Sequence, residues 1–371
     1  MNRNSTQPTS VVLAGGGTAG HTSPLIATAQ ELSVLDPTIS LTAIGTARGL
    51  ESTVVPAAGL ALQLIPPVPM PRKPNLDLVQ LPVRLWKSIA AAAKILQTVQ
   101  ADVVLGFGGY VSTPVYLAAR RLKIPIVIHE QNALPGLANK LAARFTDSVF
   151  TSFPRTPLPH ATCIGLPLRR SIVELDRPAQ RVAARRRFGL EPELPTLLVS
   201  GGSQGAMSIN NAVVGAREAL IGRGIQVLHV LGPKNMAAGS VTLVDPGTGA
   251  VYQPVAFVEA MELAYAAADL MLGRCGASTV LETAAVGLPA IFVPWPHGNG
   301  EQRRNAEVVV AAGGGQLLDD AECTPAWAAT RIPELMLDAE RLGRMSQATS
   351  GVALSNAAVT LAQKTLEVAG R

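Results

Sequence analysis

The side chains able to move a proton or grip a nucleotide gather beside glycines in this chain. His21 closes Gly15-Gly16-Gly17-Thr18-Ala19-Gly20-His21, and Ser203 lies in Gly201-Gly202-Ser203-Gln204-Gly205-Ala206. Glu130 belongs to His129-Glu130-Gln131-Asn132, which follows a third glycine turn, Gly106-Phe107-Gly108-Gly109-Tyr110. Further on come Arg274-Cys275-Gly276-Ala277-Ser278-Thr279-Val280-Leu281-Glu282 and a polar loop from His297 to Asn305 that contains Gln302. Glycines after a strand let the backbone approach a ligand closely. The helix that follows offers unpaired N–H groups and partial positive charge to a phosphate or an oxyanion. Both halves of the chain carry this device.

Position limits what each group can do. His21 at a helix N-terminus would have its pKa lowered by the dipole, leaving a neutral imidazole able to accept a proton; a helix cap or an exposed histidine fits the same position. Glu282, just over one turn into its helix, suits a carboxylate that takes two ribose hydroxyls, or one that only complements the helix dipole. Gly15, Gly17 and Gly20 satisfy G-x-G-x-x-G, but dinucleotide binding also requires an acid at the end of the second strand. Asp36 precedes that strand and Glu51 falls past it, in the next helix.

The elements that must hold these residues alternate between apolar strands and helical stretches. Strands are expected at Val11–Ala14, Leu41–Ile44, Val103–Leu105, Ile126–Ile128 and Val149–Thr151, with helices at Leu25–Leu35, Leu85–Val99 and Val111–Leu122. The second half repeats the plan with strands at Thr196–Ser200, Val227–Leu231, Val255–Phe257, Leu270–Leu272, Ala290–Val293 and Gly315–Leu318. That alternation predicts an α/β fold of two Rossmann-like domains, each a parallel sheet covered by helices. The boundary falls near residue 168, giving domains of residues 1–168 and 169–352. The proline-rich stretch from Ile65 to Pro74 is expected as an exposed loop, because proline lacks the donor N–H.

Composition narrows the class. A length of 371 residues suits two domains, and 48% hydrophobic with 15% charged residues suits compact α/β folding rather than disorder. Cys163, Cys275 and Cys323 are odd in number and far apart, which favours a reducing compartment. The polar N-terminal tail is no signal peptide, and no apolar run is long enough to span a bilayer, so any membrane contact is peripheral. The net charge of +5 is spread out apart from Arg181, Arg185, Arg186 and Arg187. With no aromatic residues interleaved, that cluster is read as a solvated helix face and not as a nucleic-acid site.

In this order and spacing, GGGTAGH, GFGGY, HEQN, GGSQGA, GASTVLE and EQRRNA resemble the MurG family of GT-B glycosyltransferases, from about Val11 to the C-terminus. The resemblance implies two Rossmann-like domains whose sheets face across a cleft. The C-terminal domain would hold UDP-N-acetylglucosamine and the N-terminal domain lipid I, the muramoyl-pentapeptide-pyrophosphoryl-undecaprenol of cell-wall synthesis. N-acetylglucosamine would pass to the C4 hydroxyl with inversion, giving lipid II. Carried onto this chain, Arg169 and Ser203 match positions near the diphosphate; Ala277, Ser278 and Thr279 match the helix N-terminus beside the phosphates. Glu282 matches the ribose ligand, and Val258 the position whose backbone meets uracil. Gln302 and Asn132 match sugar-binding positions, and Thr18, Ala19 and Gly20 line the donor side of the first glycine loop. His21 is the leading base, with Glu130 as the second choice.

The family's architecture uses helix dipoles and side chains where other transferases use a divalent cation, so neither metal nor cofactor is expected. The final helix, about 353–371, is expected to pack back on the first domain. Leu76, Leu78, Leu81, Leu85 and Trp86 among Arg72, Lys73, Arg84 and Lys87 make an interfacial surface or an ordinary core-facing helix. The implied location is the cytoplasmic face of the cell membrane. Leu166 stands where several relatives have Asn, and the loop Gly298–Glu301 departs from the pattern. The competing readings are another GT-B enzyme using a UDP-sugar, such as an epimerase or lipid disaccharide synthase, an NAD-dependent oxidoreductase, and a non-catalytic scaffold.

Overall fold

The computed structural model describes residues 8–68, 76–236 and 240–370, with the backbone alone at 76–79. They form two compact units, one reaching Arg169 and regaining the chain from Asn356, the other spanning Arg170–Ser355.

The first unit runs β1 (Ser10–Ala14), α1 (Ala19–Leu35), β2 (Ser40–Gly45), α2 (Glu51–Ala57), β3 (Ala61–Leu64), α3 (Leu76–Thr98), β4 (Val103–Gly106), α4 (Ser112–Leu122), β5 (Ile126–Glu130), α5 (Leu137–Ala142), β6 (Val149–Thr151) and β7 (Ala161–Cys163). The second runs α6 (Arg170–Val173), α7 (Arg177–Arg187), β8 (Thr196–Ser200), α8 (Met207–Ile221), β9 (Gln226–Val230), β10 (Leu243–Val244), β11 (Val251–Val255), α9 (Met261–Ala267), β12 (Leu270–Gly273), α10 (Ala277–Ala285), β13 (Ala290–Phe292), α11 (Glu301–Ala311), β14 (Gly315–Leu317), a 3₁₀ turn at Asp320–Glu322, α12 (Pro325–Met336) and α13 (Ala339–Ser350). The chain then returns to the first unit as α14 (Ala357–Val368), which packs on α1.

Each unit has one seven-stranded sheet, in the orders β3-β2-β1-β4-β5-β6-β7 and β10-β11-β9-β8-β12-β13-β14. All pairings are parallel except β10 with β11. The order reverses between β1 and β4 and between β8 and β12, and ligands of open α/β sheets bind beyond the strand ends at such reversals. The four segments after these strands are the two glycine turns, GFGGY and the Arg274–Glu282 segment. Buried alternation seats them: Val12, Ala14 and Val104 pack into one cluster of the first unit, Val11, Leu13 and Leu105 into another with Leu361 of α14.

Several expectations need correction. β5 extends to Glu130, so His129 and Glu130 are strand residues rather than residues of the following loop. The strand expected at Val255–Phe257 is Val251–Val255; Pro254 interrupts its apolar pattern, and Phe257 is exposed beyond it. The arginine cluster is not simply a solvated face. Arg185 is fully buried, donating to Asp269 (2.6 Å), the Ala267 carbonyl (2.9 Å) and the Pro192 carbonyl (2.7 Å), while Arg186 and Arg187 are exposed. Arg177 commits its guanidinium to the carbonyls of Tyr265, Ala268, Val286 and Gly287, at and just beyond the C-terminal ends of α9 and α10. Desolvation lowers its pKa to about 10, opposed by Asp269. Residues 69–74 of the proline-rich stretch, including Arg72 and Lys73, lie outside the described residues, as do the side chains of Leu76 and Leu78.

Candidate functional site

In the first unit three segments are laced together at the β1–β4 reversal. The Ser112 hydroxyl bridges the carbonyls of Ala14 (2.9 Å) and Gly108 (2.7 Å), and Phe107 N–H donates to Ala14 (2.7 Å). Tyr116 lies below Gly106, where a β-carbon would strike its ring, and its hydroxyl donates to Asn139 Oδ1 (2.8 Å). Burial pushes that phenol well above its ordinary pKa, which keeps it a donor. Asn139 in turn donates to Glu130 Oε2 at 2.9 Å.

His21 is the third residue of α1 and half-buried, with Nδ1 2.9 Å from Thr18 Oγ1. Burial lowers its pKa below 6.5, opposed by the nearby Glu51 carboxylate. The imidazole is therefore neutral at pH 7, as a base must be, with desolvation as the main cause. Gly109 (φ +79°) approaches so closely that a β-carbon there would run into the Gly16 carbonyl and come 3.7 Å from His21 Nδ1. Thr18 and Ala19 are exposed beside it, and Gly20 is half-buried.

Glu130 is buried, and its two oxygens accept from Asn132 N (2.9 Å), Asn132 Nδ2 (3.4 Å), Gly136 N (3.0 Å) and Asn139 Nδ2 (2.9 Å). Burial raises its pKa while these donors lower it. A carboxylate so occupied shapes the Asn132 loop, which weakens its standing as second-choice base. His129 is also turned inward: Nε2 donates to the Gly165 carbonyl (2.9 Å), and burial lowers its pKa to about 4. Arg169 is half-buried at the end of this unit.

In the second unit the turn after β8 exposes Ser203, with Gly202 at φ +83° and Gly205 at φ +73°. Its nearest neighbours are backbone and amide: a β-carbon on Gly205 would collide with the Leu231 carbonyl and Asn235. Beyond β12, Gly276 caps α10, so Ala277, Ser278 and Thr279 form the first turn of that helix. The Ser278 hydroxyl oxygen is buried yet has no hydrogen-bond partner among the described residues. Glu282 Oε2 accepts from the buried Tyr265 hydroxyl at 2.7 Å, which fixes the carboxylate on the helix face.

Arg274 anchors the same turn through Asp320 (2.6 Å), Ser208 (3.0 Å) and the carbonyls of Val293 and Pro294 (3.1 Å each). Asn305 ties α11 to Cys275 O (3.3 Å), and Gln302 accepts from Trp295 N–H at 3.0 Å. Val258 is buried after β11. Thus Ser203, Val258, Ala277, Ser278, Thr279, Glu282 and Gln302 belong to one unit, and Thr18, Ala19, Gly20, His21, Glu130, Asn132 and Arg169 to the other. Sequence reasoning missed Tyr265, Arg177 and Asn139, which act through long-range contacts that no motif marks. Glu51 was visible only as an ill-placed ribose acid; it is fully buried inside the protein, which removes that NAD argument.

Models of the glycosyltransferase family 28 N-terminal and C-terminal domains match residues 11–151 and 196–363. Relatives named "UDP-N-acetylglucosamine--N-acetylmuramyl-(pentapeptide) pyrophosphoryl-undecaprenol N-acetylglucosamine transferase" include one from Nocardioides sp., 52% identical over 96% of this chain and 98% of the relative. Another, from Cutibacterium acnes, is 54% identical over 97% of each. A crystal structure of Acinetobacter baumannii MurG superimposes with a TM-score of 0.77 at 25% identity, covering 97% of this chain and all of that one. The calicheamicin glycosyltransferase CalG4, at 17% identity and a TM-score of 0.68, shares the fold.

Proposed function

The chain belongs to the MurG family within glycosyltransferase family 28, and from that premise we propose that it transfers N-acetylglucosamine from UDP-N-acetylglucosamine to the C4 hydroxyl of lipid I. The observation that carries this reading is that the likeness runs through both units, so donor and acceptor halves are both retained.

In the proposed reaction the C4 hydroxyl attacks the anomeric carbon, the bond from that carbon to the diphosphate breaks, and configuration inverts. The hydroxyl proton goes to His21 Nε2, in the tautomer whose Nδ1–H donates to Thr18. The departing UDP gains charge, which the N-terminus of α10 and the glycine turn around Ser203 are suited to stabilise, together with Arg169. Glu282, held by Tyr265, takes the ribose hydroxyls; Val258 meets the uracil; Ser278 donates its unpaired hydroxyl to the phosphates. Gln302 and Asn132 hold the sugar, and Glu130 positions Asn132. No metal or cofactor takes part in this scheme.

No helix among the described residues is long and apolar enough to cross a membrane. Lipid I is membrane-bound, and on α3 Val83 and Trp86 are exposed beside Arg84 and Lys87, whereas Leu81 and Leu85 are half-buried. We place the enzyme at the cytoplasmic membrane face through this patch. Replacing Val83 and Trp86 by serine is expected to weaken binding to anionic vesicles while leaving the melting temperature unchanged; undiminished binding removes the patch from the account.

The reaction itself is tested by incubating the protein with radiolabelled UDP-N-acetylglucosamine and a lipid I analogue in EDTA. Label in the lipid product supports it. Donor binding without transfer would point to an epimerase or a non-catalytic binder.

A further inference from the structure

The first glycine turn encloses a carboxylate that the scheme above does not use. Glu51 opens α2, is fully buried, and accepts from Gly17 N (2.8 Å), Thr46 N (2.9 Å) and Thr46 Oγ1 (2.9 Å). Three glycines make room for it: a β-carbon on Gly16, Gly45 or Gly49 would run into the Glu51 side chain. A carboxylate is costly to bury unless its lone pairs are filled. Here the filling groups come from the end of β2 and from the turn that leads into His21.

Gly16 is thereby held from two sides, by the Glu51 side chain and by Gly109, whose close approach fixes the Gly16 carbonyl. Gly17 takes φ +89°, a conformation that only glycine adopts without strain, and its N–H points to Glu51.

We propose that Glu51 is a positioning residue for the transfer: its buried carboxylate holds Gly15–Gly17 in the shape that sets His21 at the start of α1 beside Thr18 and Gly109. The proposal rests on His21 as the base. The carboxylate also bears on the ring's charge: Glu51 opposes the burial that lowers the His21 pKa, while Thr18, hydrogen-bonded to the ring, and Gly109, close to it, are uncharged. A neutral amide at position 51 would leave His21 a weaker base, so the pH below which turnover is lost would fall.

The test compares Glu51→Gln and Glu51→Asp with His21→Ala, measuring kcat and KM for UDP-N-acetylglucosamine against pH. Glutamine keeps the size but turns one acceptor into a donor facing Gly17 or Thr46. Expected for Glu51→Gln is a kcat about 100-fold lower, a KM within about twofold of the parent, and an acid limb displaced to lower pH. Glu51→Asp, which keeps the charge, returns the limb toward the parent. A merely structural carboxylate would lower the melting temperature while kcat of the folded protein and the limb stayed put, and that result overturns the proposal. If Glu51→Gln does not fold, Thr46→Val removes one donor and should lower kcat about tenfold at unchanged KM; unchanged kcat again overturns it. Turnover retained by His21→Ala overturns the base assignment and this proposal with it, whereas an inactive His21→Ala beside an active Glu51→Gln overturns this proposal alone.

Discussion

The two glycine turns occupy equivalent places, each after a central strand at the reversal of its sheet, yet they enclose different things. The turn after β1 is filled by the protein's own carboxylate, with the Gly17 N–H already taken by Glu51. The turn after β8 meets backbone, the Asn235 amide and the Ser200 hydroxyl, whose Oγ accepts from Gly202 N–H at 3.2 Å, and Gly202 has open space where a side chain would stand. A turn that holds an internal anion is poorly suited to a diphosphate. One whose contacts named here are uncharged, beside a helix whose Ser278 hydroxyl has no partner among the described residues, is well suited to it. On the proposed function, one plan thus serves two purposes: the first turn would present the base and the second would receive the nucleotide.

Loss of the proposed base should show the largest effect. His21→Ala is expected to lower kcat by about 10²- to 10⁴-fold while the Kd for UDP stays within about twofold, read by transfer assay and calorimetry. A variant that also lost UDP would blur the division between the turns. Next comes Glu282→Gln, which leaves one fewer charge for the ribose and disturbs the Tyr265 contact: KM for the donor should rise about 10- to 100-fold. An equal fall in kcat at unchanged KM would place Glu282 in the chemistry instead.

The smallest effect concerns pH, and it applies to both units. His129 and His229 are buried, with pKa values lowered by desolvation to about 4 and about 3. Each is neutral in the folded state but protonates near 6.5 when unfolded. Their contribution is complete above that value and declines as pH falls from 6.5 toward the folded values. Each should cost about 1.4 kcal/mol per pH unit, seen as falling denaturant midpoints. His229→Gln should flatten the decline of the second unit only, because that ring pairs with Tyr252 (2.9 Å) and Asn210 (3.2 Å) there.

The difference between the turns was not legible in their sequences. Both read as a strand, glycines and a helix, and the strands β1, β4, β5, β8 and β12 were found because buried parallel strands are short apolar runs. Edge strands β3, β7 and β10 were missed; they are largely exposed and carry no such run. His21, Ser278 and Glu282 could be named from their motifs. Glu51, Tyr265 and Arg177, which bond the first glycine turn, the Glu282 carboxylate and the carbonyls at the ends of α9 and α10, sit in other elements, and only the fold brings them near. Arg185 shows the same limit: a row of arginines reads as solvated until Asp269, 84 residues away in sequence, is seen to pair with one of them.

The most direct test of this division is amide hydrogen exchange with and without UDP. Slowed exchange at residues 201–206 and 276–280, with residues 12–17 unchanged, is the predicted result. Protection concentrated at residues 15–20, with none at 276–280, would contradict it.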